Sequence, residues 1–135
     1  MSIAISTSLR STFADAVART RDALAGQGFG VLTEIDMKAT LKAKLGHDME
    51  NYLILGTCNP PLAHRAVDID RQIGLLLPCN VVVRSDPADD SRVLVEAMNP
   101  QLLVQVTGES ALQEVADAVT SKLRAAIEVL GPASV

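Results

Sequence analysis

The sequence predicts a single α+β domain over residues 1–135, a mostly antiparallel sheet with helices packed on one face, in the order β-α-β-α-β-α-β-β-α. Strand-length apolar runs alternate with segments that open on helix-capping residues, and this sets the element order. Asp86-Pro87-Ala88-Asp89-Asp90 is a tight turn between two such runs, so those strands return antiparallel. The final segment carries one long apolar helical stripe, as a helix lying on a sheet face does.

Ser2 to Thr7 alternates Ile3 and Ile5 with small polar residues, the pattern of a short edge strand. Thr12 caps the next segment, with Asp15 in the capping-box position. Phe13, Val17, Thr20 and Leu24 form the inner face of that helix, and Gly26 and Gly28 stop it. Phe29 to Ile35 is a second strand, with Phe29, Val31, Thr33 and Ile35 on one side. Asp36 caps a short helix whose buried stripe is Met37, Leu41 and Leu45, ended by Gly46; Lys38, Lys42 and Lys44 lie on its solvated surface. Tyr52 to Cys58 is apolar on both faces, so it lies inside the sheet, covered on both sides or at a subunit contact. Asn59-Pro60-Pro61 opens a helix running to Ile69, because Asn caps well and Pro suits the first turn; Leu62, Ala63 and Ala66 face inward. Leu75 to Arg84 is a fourth strand, interrupted at Pro78, and Arg92 to Met98 is a fifth. Asn99-Pro100 repeats the helix-start chemistry. Ser110 and Gln113 form the capping box of the last helix. Its stripe runs through Leu112, Val115, Ala116, Val119, Leu123, Ile127 and Leu130 to Gly131-Pro132.

The core built by this pattern is aliphatic: 48% of residues are hydrophobic, yet Phe13, Phe29 and Tyr52 are the only aromatics. Few aromatics and a net charge of -4 provide neither the stacking platforms nor the basic surface of a nucleic-acid binder. No run approaches the roughly 20 apolar residues of a membrane span, and Met1 to Thr12 lacks the apolar stretch of a secretory signal. The expectation is a cytoplasmic protein with no nucleic-acid or membrane partner, in which both cysteines stay reduced. Apolar residues on the second face of several strands need a cover, which points to a homo-oligomer, a dimer first of all.

Several local motifs share one pattern: Phe29-Gly30-Val31-Leu32-Thr33-Glu34-Ile35-Asp36, Tyr52-Leu53-Ile54-Leu55-Gly56, Cys58-Asn59-Pro60-Pro61-Leu62-Ala63-His64-Arg65-Ala66 and Ile73-Gly74-Leu75-Leu76-Leu77-Pro78-Cys79-Asn80-Val81. Through them the chain resembles the bacterial and archaeal domain-of-unknown-function family 302. The resemblance is close over residues 29–98 and looser in the flanking helices. It implies a small α+β fold and brings no established activity. The motif positions that it carries over are Glu34, Asp36, Cys58, Asn59, His64, Cys79 and Asn80.

The chemistry of these positions starts at Cys58, which ends a buried strand just before a helix N-terminus, where backbone N–H groups favour a thiolate. His64 lies one to two turns into that helix, and a Cys at a helix start with a His nearby is the arrangement of an activated nucleophile. Cys79 completes a candidate cluster. The plain alternative is that both cysteines are small buried hydrophobes. As metal ligands the set is deficient: the Cys58-to-His64 spacing is no standard zinc arrangement and a fourth ligand is lacking, so no metal ligand is assigned. Asn59 is explained as a helix cap. Asn80, inside an apolar strand, needs a buried hydrogen-bonding partner or a ligand. Asp36 is a cap, which leaves Glu34 free for a ligand. No cofactor is specified: Gly26-Gln27-Gly28-Phe29-Gly30 leaves a helix and enters a strand, the reverse of a nucleotide-binding loop.

Three readings follow. The first is a binding or sensing module holding a small molecule or metal around Cys58, His64 and Cys79, with Asn59, Asn80 and Glu34 as further contacts. The second is a thiol enzyme or sulfur-handling protein with Cys58 as nucleophile and His64 as base. The third is an oligomeric scaffold with structural cysteines.

Overall fold

The structure is a computed structural model that describes residues 2–132. Its main elements are β1 (Ala4–Arg10), α1 (Phe13–Ala25), β2 (Gly30–Asp36), α2 (Met37–Leu45), β3 (Tyr52–Cys58), α3 (Pro60–Ile69), β4 (Cys79–Asp86), β5 (Asp89–Met98), α4 (Gln101–Thr107) and α5 (Gln113–Leu130). The five strands form one antiparallel sheet in the order β1-β5-β4-β3-β2. Its register aligns the buried side chains across four strands: Leu9 opposite Val93, Thr7 opposite Val95, Val95 opposite Val83 and Val83 opposite Leu53. Over that face α1 and α3 each pack against α5. The fully buried centre is Ile5, Leu55, Val81, Val83, Val93 and Val95 from the sheet with Leu24, Leu123 and Ile127 from the helices.

The expected α+β order holds, with α4 as an additional short helix after Asn99-Pro100. Local chemistry explains the well-placed ends. Thr12 accepts a hydrogen bond from the Asp15 N–H at 3.2 Å, Asp36 from the Ala39 N–H at 2.9 Å, and Asn59 from the Leu62 N–H at 3.4 Å. Gly46 closes α2 with a φ of 71°, the left-handed conformation that glycine adopts without penalty.

Four expectations need correction. The Ser110–Gln113 capping box does not form; Ser110–Leu112 makes a 3-10 turn capped by Glu109, and α5 begins at Gln113 with no side-chain cap. The tight turn carries Leu112 fully into the core, while Gln113 donates to Gln101 and Asp117. Leu75–Leu77 are not strand, because Asp70 caps a 3-10 turn over Arg71–Leu76 and β4 starts only after Pro78, which has no N–H for the ladder. The inner face of α1 is Ala16, Thr20, Ala23 and Leu24, with Phe13 and Val17 only half-buried at its margin. Small alanines let α1 lie close, and the Thr20 hydroxyl donates to the Ala16 carbonyl at 2.8 Å.

The fourth correction concerns β2 and α2. A bulge between Val31 and Thr33 shifts the register, so Val31 faces Thr57 while Thr33 faces Gly56. Phe29 and Val31 therefore join the core, but Thr33 and Ile35 do not share their side and are exposed. Helix α2 lies beside β2 and β3, buries no residue, and leaves Leu45 65% exposed. On the second face of β3, Tyr52 and Ile54 are half-buried, so this strand is covered fully on one side only.

The junction of β2, β3 and β4 has little room. A Cβ added at Gly56 would collide with the Thr33 hydroxyl and come within 2.9 Å of Pro78 Cγ. Gly56→Ala is predicted to lower stability by about 1–3 kcal/mol in urea unfolding, with Thr33→Ala restoring part of the loss. Equal costs in the presence and absence of Thr33 would contradict this account of the junction.

Candidate functional site

The site is assembled where β3 ends and α3 begins. Asn59 is 9% exposed and uses both ends of its amide. Its oxygen caps α3 at the Leu62 N–H, and its nitrogen donates to the Gln27 carbonyl at 3.3 Å. One side chain thereby ties the α1–β2 connection to the start of α3. Gly28, in that connection, has a φ of 83°, and a Cβ there would stand 3.1 Å from the Asn59 amide nitrogen. Across the sheet, Thr57 pairs with Cys79, and the buried Thr57 hydroxyl donates to the Cys79 carbonyl at 2.8 Å.

These ties hold open a cavity of about 310 Å³ at the end of the sheet. Thr57, Cys58, Asn59 and Cys79 line it from the sheet end. Leu62, Ala63 and Ala66 come from α3, Val115 and Val119 from α5, and Leu103 from α4. Phe29, Leu32, Leu77 and Pro78 complete the lining, with Leu32 two-thirds exposed (65%) at the rim. Ten of these fourteen residues are apolar, so the chemistry of the space is that of a hydrocarbon.

Of the candidates named from sequence, Cys58, Cys79 and Asn59 meet at this cavity. His64 does not: it lies on the outer face of α3, 77% exposed, with Nε2 3.5 Å from Asp68 one turn on. Helical spacing explains the separation, because turning Leu62 and Ala66 inward turns His64 out. Asn80 is exposed, not buried, because strand alternation sends Cys79 to the helix-covered face and Asn80 to the other. It therefore needs no buried partner. Glu34 is exposed on β2 and pairs with Arg21. Among the described residues, no three His, Cys, Asp or Glu side chains gather as metal ligands. Nor is any helix among them long and apolar enough to cross a membrane.

The two thiols are unlike. Cys58 is partly exposed, whereas Cys79 is 7% exposed. Burial, and secondarily the neighbouring Cys58, pushes the Cys79 thiol up from 9.0 to about 11. Most of the cavity wall escaped sequence reasoning because aliphatic side chains carry no chemical signature. The inward stripes Leu62-Ala63-Ala66 and Val115-Val119 were legible as helix faces, but Leu103 had no signal beyond a helix start.

Fold and cavity together define a small α+β domain whose antiparallel sheet is covered by helices on one face and ends in an apolar pocket. The chain belongs to the family described as Domain of unknown function DUF302, matched over residues 5–130, well beyond the 29–98 stretch that carries the sequence motifs. It is similar to the crystal structure of an uncharacterized conserved protein DUF302 from Bacillus stearothermophilus, with a TM-score of 0.87 and 25% identity over 96% of this chain and 99% of that one. No curated protein matches it.

Native protein at pH 8 is predicted to take up one equivalent of iodoacetamide, at Cys58, and a second only after denaturation; rapid native labelling of Cys79 would contradict the burial. The raised Cys79 value also sets a pH window. Below pH 9.0 the thiol is protonated in folded and unfolded chains alike, and its contribution to stability is fully present. Between pH 9.0 and about 11 only the unfolded chain ionises, so stability falls, by about 3 kcal/mol in total. Urea midpoints across this range should fall more steeply in the native protein than in Cys79→Ala.

Proposed function

We propose that this domain is a non-enzymatic binding module that holds a small apolar molecule in the cavity bounded by Cys58 and Cys79. The observation that carries the reading is the cavity itself, about 310 Å³ with ten apolar lining residues, within the size range of small-molecule pockets. Filling it removes ligand and wall from water together, and the hydrophobic effect supplies the affinity. The thiol-enzyme reading has less support, since His64 is directed to solvent and Asp68. A metal-sensing role has less support for the same reason, since among the described residues no third ligand joins Cys58 and Cys79.

Naphthalene near its solubility limit is predicted to raise the melting temperature and to slow alkylation of Cys58, which lines the cavity. Ala63→Phe, which fills the space, should retain the native melting temperature and lose both responses. Absence of both effects in the native protein overturns the reading.

We also propose that two copies associate through the sheet face that the helices leave uncovered. Tyr52, Ile54, Val82 and Leu94 are half-buried there, and Ile35 is 46% exposed. Among them Arg84 and Glu96 pair at 2.6 Å, so opposite charges stand side by side within this patch, with Ser6, Ser8, Asn80 and Arg92 around it on the same face. A two-fold axis would set each Arg84 against the partner's Glu96, which makes the face complementary to itself. Sedimentation at micromolar concentration should give a dimer, and Val82→Glu a folded monomer. A native protein that stays monomeric contradicts the proposal.

A further inference from the structure

The cavity wall says more about its occupant than that it is apolar. None of the lining residues is Asp, Glu, Lys, Arg or His. The polar side chains that do line it are already engaged. Thr57 gives its hydroxyl proton to the Cys79 carbonyl, and Asn59 uses its oxygen on the Leu62 N–H and its nitrogen on the Gln27 carbonyl. Breaking the Asn59 bonds would unfasten the start of α3, so they are not available for exchange with a ligand. What remains is the acceptor side of the Thr57 hydroxyl, one N–H of Asn59 and a pair of thiols, which are weak donors and weak acceptors. A charged group placed against this wall would lose its water and gain no partner of opposite charge, a penalty of several kcal/mol.

Volume narrows the class further. A 150 Å³ apolar cavity in another protein holds one benzene ring. At about 310 Å³ this one has room for two fused rings or a short aliphatic chain, roughly ten non-hydrogen atoms.

We infer that the ligand is an uncharged, hydrocarbon-like molecule of about bicyclic size with at most one weak hydrogen-bonding group, seated between α3, α5 and the ends of β3 and β4. This rests on the apolar-binding reading and refines it. Anionic and cationic amphiphiles of the same size are rejected.

Three naphthalene derivatives test the inference on the intact protein at pH 7. They are 2-naphthol, which is neutral, 2-naphthoate, which is anionic, and 2-naphthylmethylamine, which is cationic. The chain has no tryptophan, so naphthalene fluorescence is read directly. The expected result is saturable binding of 2-naphthol at one per chain, lost in Ala63→Phe, with both ions at least about a hundredfold weaker. If either ion binds within tenfold of 2-naphthol, a charged head sits outside the wall; the pocket stands and the inference falls. If none of the three binds and naphthalene leaves the melting temperature unchanged, the apolar-binding reading falls with it.

Discussion

Helices α1, α3 and α5 lie on one side of the sheet, and this one-sided cover is the constraint on which the rest of the structure depends. It obliges each strand to send alternate side chains inward, so Val81, Val83, Val93, Val95 and Leu55 become the core. It also decides the fate of each candidate residue by parity. Cys79 falls on the covered side and Asn80 on the other. Where the helical layer runs out, at the ends of β3 and β4, the same arrangement leaves a pocket and not a closed core.

Asn59 makes that ending rigid. Burying an amide is unfavourable unless both its ends are paired, and here both are. The residue therefore acts as a joint between the turn after α1 and the start of α3, which fixes two walls of the pocket relative to the sheet. The asparagine of the first Cys-Asn pair is structural, and the thiol beside it is the part left to face the cavity. In the second pair the buried member is the cysteine, and the asparagine lies in solvent. Two similar dipeptides thus serve different ends because one closes a strand and the other opens one.

Much of the architecture was legible in the sequence. The capping side chains of Thr12, Asp36 and Asn59 act through the nearest backbone, so their effect is local and readable. The turn at Asp86–Asp90 and the α5 stripe were equally plain. What misled was tertiary. The bulge at Leu32 reverses the faces of β2, and no local propensity announces it. The 3-10 turn that Asp70 caps takes Leu75 and Leu76 out of the strand, although their composition is strand-like. His64 looked close to Cys58 in sequence, but the helix that carries it needs its inward positions for Leu62 and Ala66. The pocket was the least legible feature, because Leu62, Leu103 and Val119 look the same in sequence whether they touch each other or a void.

The central claim is that this void is a preformed apolar space with dry walls. Diffraction from a crystal pressurised with xenon tests it most directly, since xenon enters apolar cavities without needing a hydrogen bond. The account predicts xenon density among Leu62, Ala66, Leu103 and Val119, next to the Cys79 thiol, with little movement of the walls. Density for a hydrogen-bonded water cluster in that space, or a cavity closed by inward movement of α3, would contradict it.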